Sequence, residues 1–428
     1  MKRLYIFILA ATMLSACEVS DIAPEVNPNQ EEQLRMDVGL TAPMMVGTNE
    51  SGTRATLGYE LYDPEIHPTT MGGFGLKRVK SSASESDKIW HYIFLDRTDE
   101  VAEMPDYSDG HSQHIFNVTN NRWEYFNTAG DMLSEKWNTA VYDMHLFFAY
   151  MPYQPETVVD GVTYKVSLKR SISDTHLITL QIPFIPGMTQ IPYMVCREPQ
   201  LRHLTETGTN DYSRVPFQMD QIMQRYVFQF KLDPAMGELR HFHITNVEMF
   251  GAKMPSSALF TRNYTYSVGQ DDAVKWSYTD NPYENIQFED RPESNPFVIN
   301  KPIWKNRTDS YFLNLRTDQY RTYGETYEPI QNETTPPSYF YVIQTGEILF
   351  NPTIKVSYEI YDEWGYLTRK GVGRIVFNTD QFNSIGWLNE AGCRHEININ
   401  IVPNRLYVLS DADQTCGYLI MDETNEDE

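Results

Sequence analysis

Two histidine pairs are the first places to look for chemistry. His111 and His114 stand at i and i+3, His241 and His243 at i and i+2. Imidazole pairs bind zinc, but a zinc site needs three or four ligands. The first pair has no third ligand nearby in the sequence, and the second lies on one face of a strand pattern, where a lone pair is usually structural. Asp411-Ala412-Asp413-Gln414 lacks the glycine and the terminal glutamate of a calcium loop. Met71-Gly72-Gly73-Phe74-Gly75 has neither phosphate-binding glycine spacing and reads as a bulged strand. GxSxG and HExxH are absent. The acidic run Glu284–Glu293 reads as a solvated face. Trp123-Glu124-Tyr125 and Tyr339-Phe340-Tyr341 have rings that could stack on sugars or fill a core. No catalytic residue, metal or cofactor is expected, and the chain does not read as an enzyme.

The chain carries 35 Lys and Arg against 58 Asp and Glu, a net charge of −23. Phosphate backbones need a cationic surface, so nucleic acid is not an expected partner. Length, 428 residues with 41% hydrophobic, is enough for two or three domains with cores of their own. Aromatic residues at 13%, with 28 tyrosines, favour strands.

The N-terminus addresses the chain. Met1-Lys2-Arg3 is a basic start, and Leu4–Met13 is an apolar run too short to span a bilayer. Leu14-Ser15-Ala16-Cys17 follows and resembles the lipobox of bacterial lipoproteins. The resemblance implies cleavage before Cys17, acylation of Cys17, and an outer-membrane destination. Several acyl chains on one residue anchor a soluble domain stably, where one would be marginal. Cys196, Cys393 and Cys416 then remain. An odd number is not a disulfide framework, so buried thiols are expected, with a Cys393–Cys416 bridge left open.

Strand signals fill the rest. Residues 17–32, acidic with Pro24 and Pro28, read as a tether. Leu34, Met36, Val38 and Leu40 alternate with Arg35, Asp37 and Gly39, a strand with one buried face. A polar loop, Gly47–Thr56, then offers Arg54 and Ala55 to a protease. Further strands are expected at 88–95, 114–126 (a hairpin turning near Asn120-Asn121), 141–150 and 176–184. Asp160-Gly161 marks another hairpin. Beyond a polar boundary at 211–214, strands are expected at 225–232, 241–250, 310–315, 338–344, 353–361, 373–377 and 396–402. Arg405–Leu409 closes the ordered chain before an acidic tail. Many short strands with Pro, Gly and Asn punctuation predict an all-β, sandwich-type protein. The reading divides it into a signal peptide (1–16), a tether (17–32) and two domains (33–212 and 213–428).

The whole pattern resembles the fimbrillins, subunits of type V pili, in the fimbrillin-like or Mfa-like group. The lipobox at Cys17, the alternating strand at Leu34–Leu40 and the loop Thr53-Arg54-Ala55-Thr56 carry the likeness. So does the passage Val215–Met223 running into Tyr226–Leu232, preceded by Ile191-Pro192-Tyr193-Met194-Val195. Asn398-Ile399-Asn400 followed by Arg405–Ser410 is a further echo. One departure is Asp220, where many relatives carry His. The resemblance implies two transthyretin-like β-sandwich domains in tandem. It also implies lipoprotein export, proteolytic removal of the first strand at Arg54–Ala55, and joining to other pilus subunits by strand exchange in a cell-surface fimbrium. An anchor subunit would keep its lipid and stay uncut. Host or bacterial surface glycans or proteins are the adhesive partners it implies. The alternative is a lipid-anchored surface glycan-binding protein, which has no need of a protease site after its first strand.

Overall fold

The computed structural model describes residues 35–41, 44–45, 59–60, 62–64, 67–79, 90–93, 106–126, 132–133, 142–203 except 172 and 175, 214–232, 241–268 and 274–299. Towards the C-terminus it describes 304–305, 328–329, 339–343, 352–361, 367–376, 393–402, 405–409 and 415–422. Apart from one 3-10 turn at Ser108–Gly110, the regular structure in these residues is all strand.

The chain begins with β1 (Arg35–Thr41), β2 (Met44–Met45), β3 (Tyr59–Glu60), β4 (Thr70–Val79), β5 (Trp90–Tyr92), β6 (His111–Asn117), β7 (Arg122–Phe126), β8 (Met132–Leu133) and β9 (Tyr142–Met151). Next come β10 (Glu156–Val159), β11 (Val162–Lys165), β12 (Ser167–Arg170), β13 (Leu177–Pro186), β14 (Met188–Thr189), β15 (Met194–Cys196), β16 (Gln200–His203), β17 (Arg214–Gln221), β18 (Gln224–Leu232) and β19 (His241–Val268). Then come β20 (Val274–Asp280), β21 (Glu284–Arg291), β22 (Phe297–Val298), β23 (Trp304–Lys305), β24 (Glu328–Pro329) and β25 (Tyr339–Val342). The last are β26 (Thr353–Tyr361), β27 (Leu367–Val376), β28 (Cys393–Val402), β29 (Arg405–Leu409) and β30 (Thr415–Asp422).

One sheet runs β3-β1-β17-β15-β9-β4-β6-β7-β8, and β1 also lies against β7, so the sheet curls back towards itself. Facing it is a layer in which β13 pairs with β12 on one side and the C-terminal half of β19 on the other, with β20 beyond. Ile178, Leu180 and Ile182 of β13 alternate inward and meet Phe147, Phe148, Val195, Phe217 and Phe260 in one apolar cluster. Phe148 and Tyr264 touch edge-on at 5.5 Å across the two layers. A third set of pairings runs β25-β18-β28-β29-β30-β27-β26 and ends on the N-terminal half of β19. β19 therefore serves two layers. It shifts register between Gly251 and Met254, where Lys253 takes a left-handed φ of 56°.

Sheet membership does not follow sequence order. β17, just past residue 213, lies in the first sheet, and residues 257–268 return to the layer facing it. The hairpins at Asn120-Asn121 and Asp160-Gly161 form as expected, with positive φ at Asn121, Asp160 and Gly161. Four expectations need correction. The glycine run at 71–75 is not bulged: Gly72 and Gly73 lie in regular register, and a Cβ there would sit 2.1 Å from the Tyr150 ring and 2.5 Å from His114. The glycines let two rings lie flat on the strand. β19 does not stop at Phe250 but continues to Val268, because β13 and β20 pair with its second half. β27 starts at Leu367 rather than Gly373. Arg405–Leu409 does not close the ordered chain, since β30 pairs with β29 and β27. The expected strand at 310–315 and the loop 47–56 lie outside the described residues.

Candidate functional site

The site that matters to the fimbrillin resemblance is the first strand and the edge that receives it. β1 runs parallel to β17 from Arg35↔Arg214 to Leu40↔Met219. On its other side, among the described residues, Leu40 and Thr41 pair antiparallel with Glu60 and Tyr59 of β3. Alternation puts Met36 and Leu40 in the core, 4% and 2% exposed, with Val38 packed against it. Val215, Phe217 and Met219 of β17 are buried beside them. Burying each such side chain contributes roughly 1.5–3 kcal/mol. β1 is thus a strand with an apolar inner face and no covalent staple. Three residues on, Met44 and Met45 pair in parallel with Cys393 and Arg394 of β28.

Behind β17 lies a buried ionic centre that sequence reasoning missed. Arg262 of β19, 2% exposed, donates from Nε and Nη2 to the two carboxylate oxygens of Asp280 at 2.6 and 2.8 Å. Its Nη1 donates to Asp220 Oδ2 at 3.1 Å and to the Cys196 carbonyl at 3.2 Å. Arg197 donates to the other oxygen of Asp220 from Nε at 3.0 Å and Nη2 at 2.9 Å. Burial opposes the Arg262 charge, but the bidentate Asp280 and nearby Asp220 outweigh it and raise the guanidinium pKa. Tyr264 donates to the Cys196 carbonyl at 2.7 Å, and burial pushes both its hydroxyl and the Cys196 thiol up. The group joins β15 and β17 of one layer to β19 and β20 of the other. Its hydrogen-bonded partners are 18 to 68 residues apart in sequence, so no local spacing announces it. Asp220 stood out only as a departure from the fimbrillin pattern.

The other sequence candidates fall into the interior or the surface. His111 Nε2 meets the Tyr150 hydroxyl at 2.9 Å, with its ring stacked between Phe74, Tyr150 and Tyr153. Burial holds its pKa down at about 4. His114 Nε2 meets the Ser112 hydroxyl at 2.8 Å, and burial together with His111 brings its pKa to about 3. Both rings are neutral, His114 in the core and His111 half-buried beside it. Among the described residues no group of three or more His, Cys, Asp or Glu is placed to hold a metal. His241 and His243 lie on β19 opposite Tyr361 and Glu359. Trp123, Tyr125, Phe340 and Tyr341 are buried, so these rings fill the core rather than offer a sugar platform. β21 carries most of the Glu284–Glu293 run on a largely exposed strand. Cys196 is a buried free thiol. Cys393 and Cys416 lie in β28 and β30. Cys17, Arg54, Ala55 and Asp411–Gln414 lie outside the described residues.

No protein-family model matches the chain, and no curated protein does. Solved structures similar to it along most of its length include fimbrial and cell-adhesion proteins, among them a fimbrial protein from Bacteroides vulgatus. That match has 12% identity and a TM-score of 0.37, covering 91% of this chain and 99% of that one. A fimbrial assembly protein from Parabacteroides distasonis matches at 7% identity and 0.25, covering 91% and 99%. The fimbrial anchor protein Mfa2 from Porphyromonas gingivalis matches at 7% and 0.21, covering 91% and 98%. At such values these are likenesses along the chain and define neither a ligand nor a role.

Proposed function

We propose that the chain is a structural or adhesive subunit of a type V fimbria, a fimbrillin-like lipoprotein. Cys17 carries the lipid to the outer membrane. Cleavage between Arg54 and Ala55 frees the first strand, and a strand from another subunit takes its place at the cell surface. The observation that carries this reading is the seating of β1. It is held by hydrogen bonds along β17 and by Met36, Val38 and Leu40, ahead of a polar segment with a trypsin-type site. Loss of such a strand leaves unpaired N–H and C=O groups and an apolar trough, which template a replacement strand. A donor needs apolar residues at every second position to match the trough in register. Ile397, Ile399 and Ile401 of β28 meet that spacing, as do Leu406 and Val408 of β29. Both strands are paired on each side within the third sheet, so a C-terminal donor has to leave that sheet to cross over.

The test is incubation of the precursor with a trypsin-like protease, followed by gels run without boiling. The proposal expects a ladder from the wild type and a monomer from Arg54→Ala. The same ladder from Arg54→Ala would show that cleavage here is not the trigger.

A further inference from the structure

The layer formed by β12, β13, the C-terminal half of β19 and β20 has a second face, turned away from the Arg262 centre. Alternation sends Arg262, Tyr264, Trp276 and Asp280 inward, so Thr261, Asn263, Ser277 and Thr279 lie on the outer face. Register aligns them with β13 and β12 in rows that cross the strands. One row is Ser167-Gln181-Thr261, and the next is Lys169-Thr179-Asn263-Thr279. The side chains are tied from strand to strand. Thr179 Oγ1 donates to Asn263 Oδ1 at 2.8 Å, Gln181 Nε2 to Thr261 Oγ1 at 3.5 Å, and Asn263 Nδ2 to Asn281 Oδ1 at 3.1 Å. These bonds hold the groups in place before any ligand arrives, which lowers the ordering cost of binding. They still leave each of these amide nitrogens a second N–H to donate.

At the β12 end the rows run into a cleft of about 260 Å³ lined by Ser167, Lys169, Arg170, Ser171, Thr179 and Gln181. Two cations and no carboxylate line it, in a chain whose net charge is −23. Lys169 Nζ lies 3.5 Å from Asp106 Oδ2 at the rim. Both side chains are about half exposed, and such a pair holds weakly enough for Lys169 to turn to another anion.

We infer that this face binds an acidic polysaccharide. A uronate carboxylate seats in the cleft on Lys169, and the next sugars cross β13, β19 and β20 along the row that ends at Thr279. Neighbouring strands are about 4.8 Å apart, close to the length of one pyranose unit, so successive sugars meet successive strands. Hydroxyl and amide groups that both donate and accept suit sugar hydroxyls, which do the same. The inference rests on the adhesive reading of the subunit and names its class of partner; it uses none of the surface of β1 or β17.

Titration calorimetry of the uncleaved full-length chain tests this, with three probes: oligogalacturonate, its carboxyl-reduced form, and poly-glutamate as an anion without sugar. Oligogalacturonate is expected to bind, and the reduced form to bind about tenfold more weakly. Lys169→Gln should weaken oligogalacturonate about tenfold and leave the reduced form unchanged. Thr279→Val, at the far end of the row, should weaken both about threefold. Both positions are exposed, so the urea midpoints of the variants should match the wild type. No binding of oligogalacturonate would overturn the inference, as would equal binding of the reduced form. Poly-glutamate binding as tightly as the sugar would show a plain cation site and overturn it too. The protease ladder is run without saccharide, so failure of the subunit reading and failure of this site show separately.

Discussion

β1 and Arg262 are held against the same strand, β17, by opposite means. β1 lies along the outer edge of β17 through Arg214–Met219, joined by ladder hydrogen bonds and a few apolar side chains. One residue further, Asp220 turns inward to Arg197 and Arg262, tying β17 to β15 and β19 through charge-assisted bonds of 2.9–3.1 Å. A partner of the first kind can be exchanged for any strand with the same alternation. A partner of the second kind cannot be replaced without exposing an unpaired buried charge. The contrast is between a strand fixed from within by charge and an outer neighbour held by a ladder and apolar side chains, the arrangement that the proposed strand exchange would use.

The sharpest way to break the comparison is to remove the inner tie. Asp220→Ala leaves Arg262 with Asp280 and the Cys196 carbonyl and takes the carboxylate from Arg197, and it should cost about 2–3 kcal/mol in urea unfolding, since hydrogen bonds to charged groups are lost. A loss below about 1 kcal/mol would show that the inner tie is no firmer than the outer one.

Acid should weaken the interior in a way the edge does not share. His111 and His114 have folded pKa values of about 4 and about 3, below the unfolded value near 6.5. Between those limits the unfolded chain binds more protons, so stability is full above roughly pH 6.5 and falls as pH drops. The slope should reach up to about 1.4 kcal/mol per pH unit for each histidine. Urea midpoints at pH 7.5 and pH 5 measure it, and His111→Gln should remove about half. Equal midpoints would mean the rings protonate in place.

A smaller effect is expected at the edge. Leu40→Ala should cost about 2 kcal/mol, at the low end for a buried leucine, and should appear first as faster amide exchange across 35–41. If it instead lowers protection of β9 and β13 equally, β1 is part of the core and not a separable neighbour. The least effect belongs to Val158, 64% exposed on the β10–β11 hairpin. Val158→Thr should stay within about 0.5 kcal/mol.

The fold is legible in the sequence wherever the physics is local. Thr353–Tyr361 and Arg405–Leu409 are strands at the very residues that alternation marks, and the Asp160-Gly161 turn is written in its left-handed pair. β1 is legible because Met36, Val38 and Leu40 keep the period of two on a single buried face. β19 reads short because Gly251, Pro255 and Ser256-Ser257 are poor strand formers, and tertiary pairing with β13 and β20 overrides them. β30 is hidden by the acidic tail after it. The Arg262 centre is invisible because four strands deliver its members.

The most direct measurement is the N-terminal residue of assembled material recovered from the cell surface. Polymers made by release of the first strand should begin at free Ala55, with the segment carrying Met36, Leu40 and Met44 gone. Polymers whose subunits still begin at a lipidated Cys17 would contradict the account.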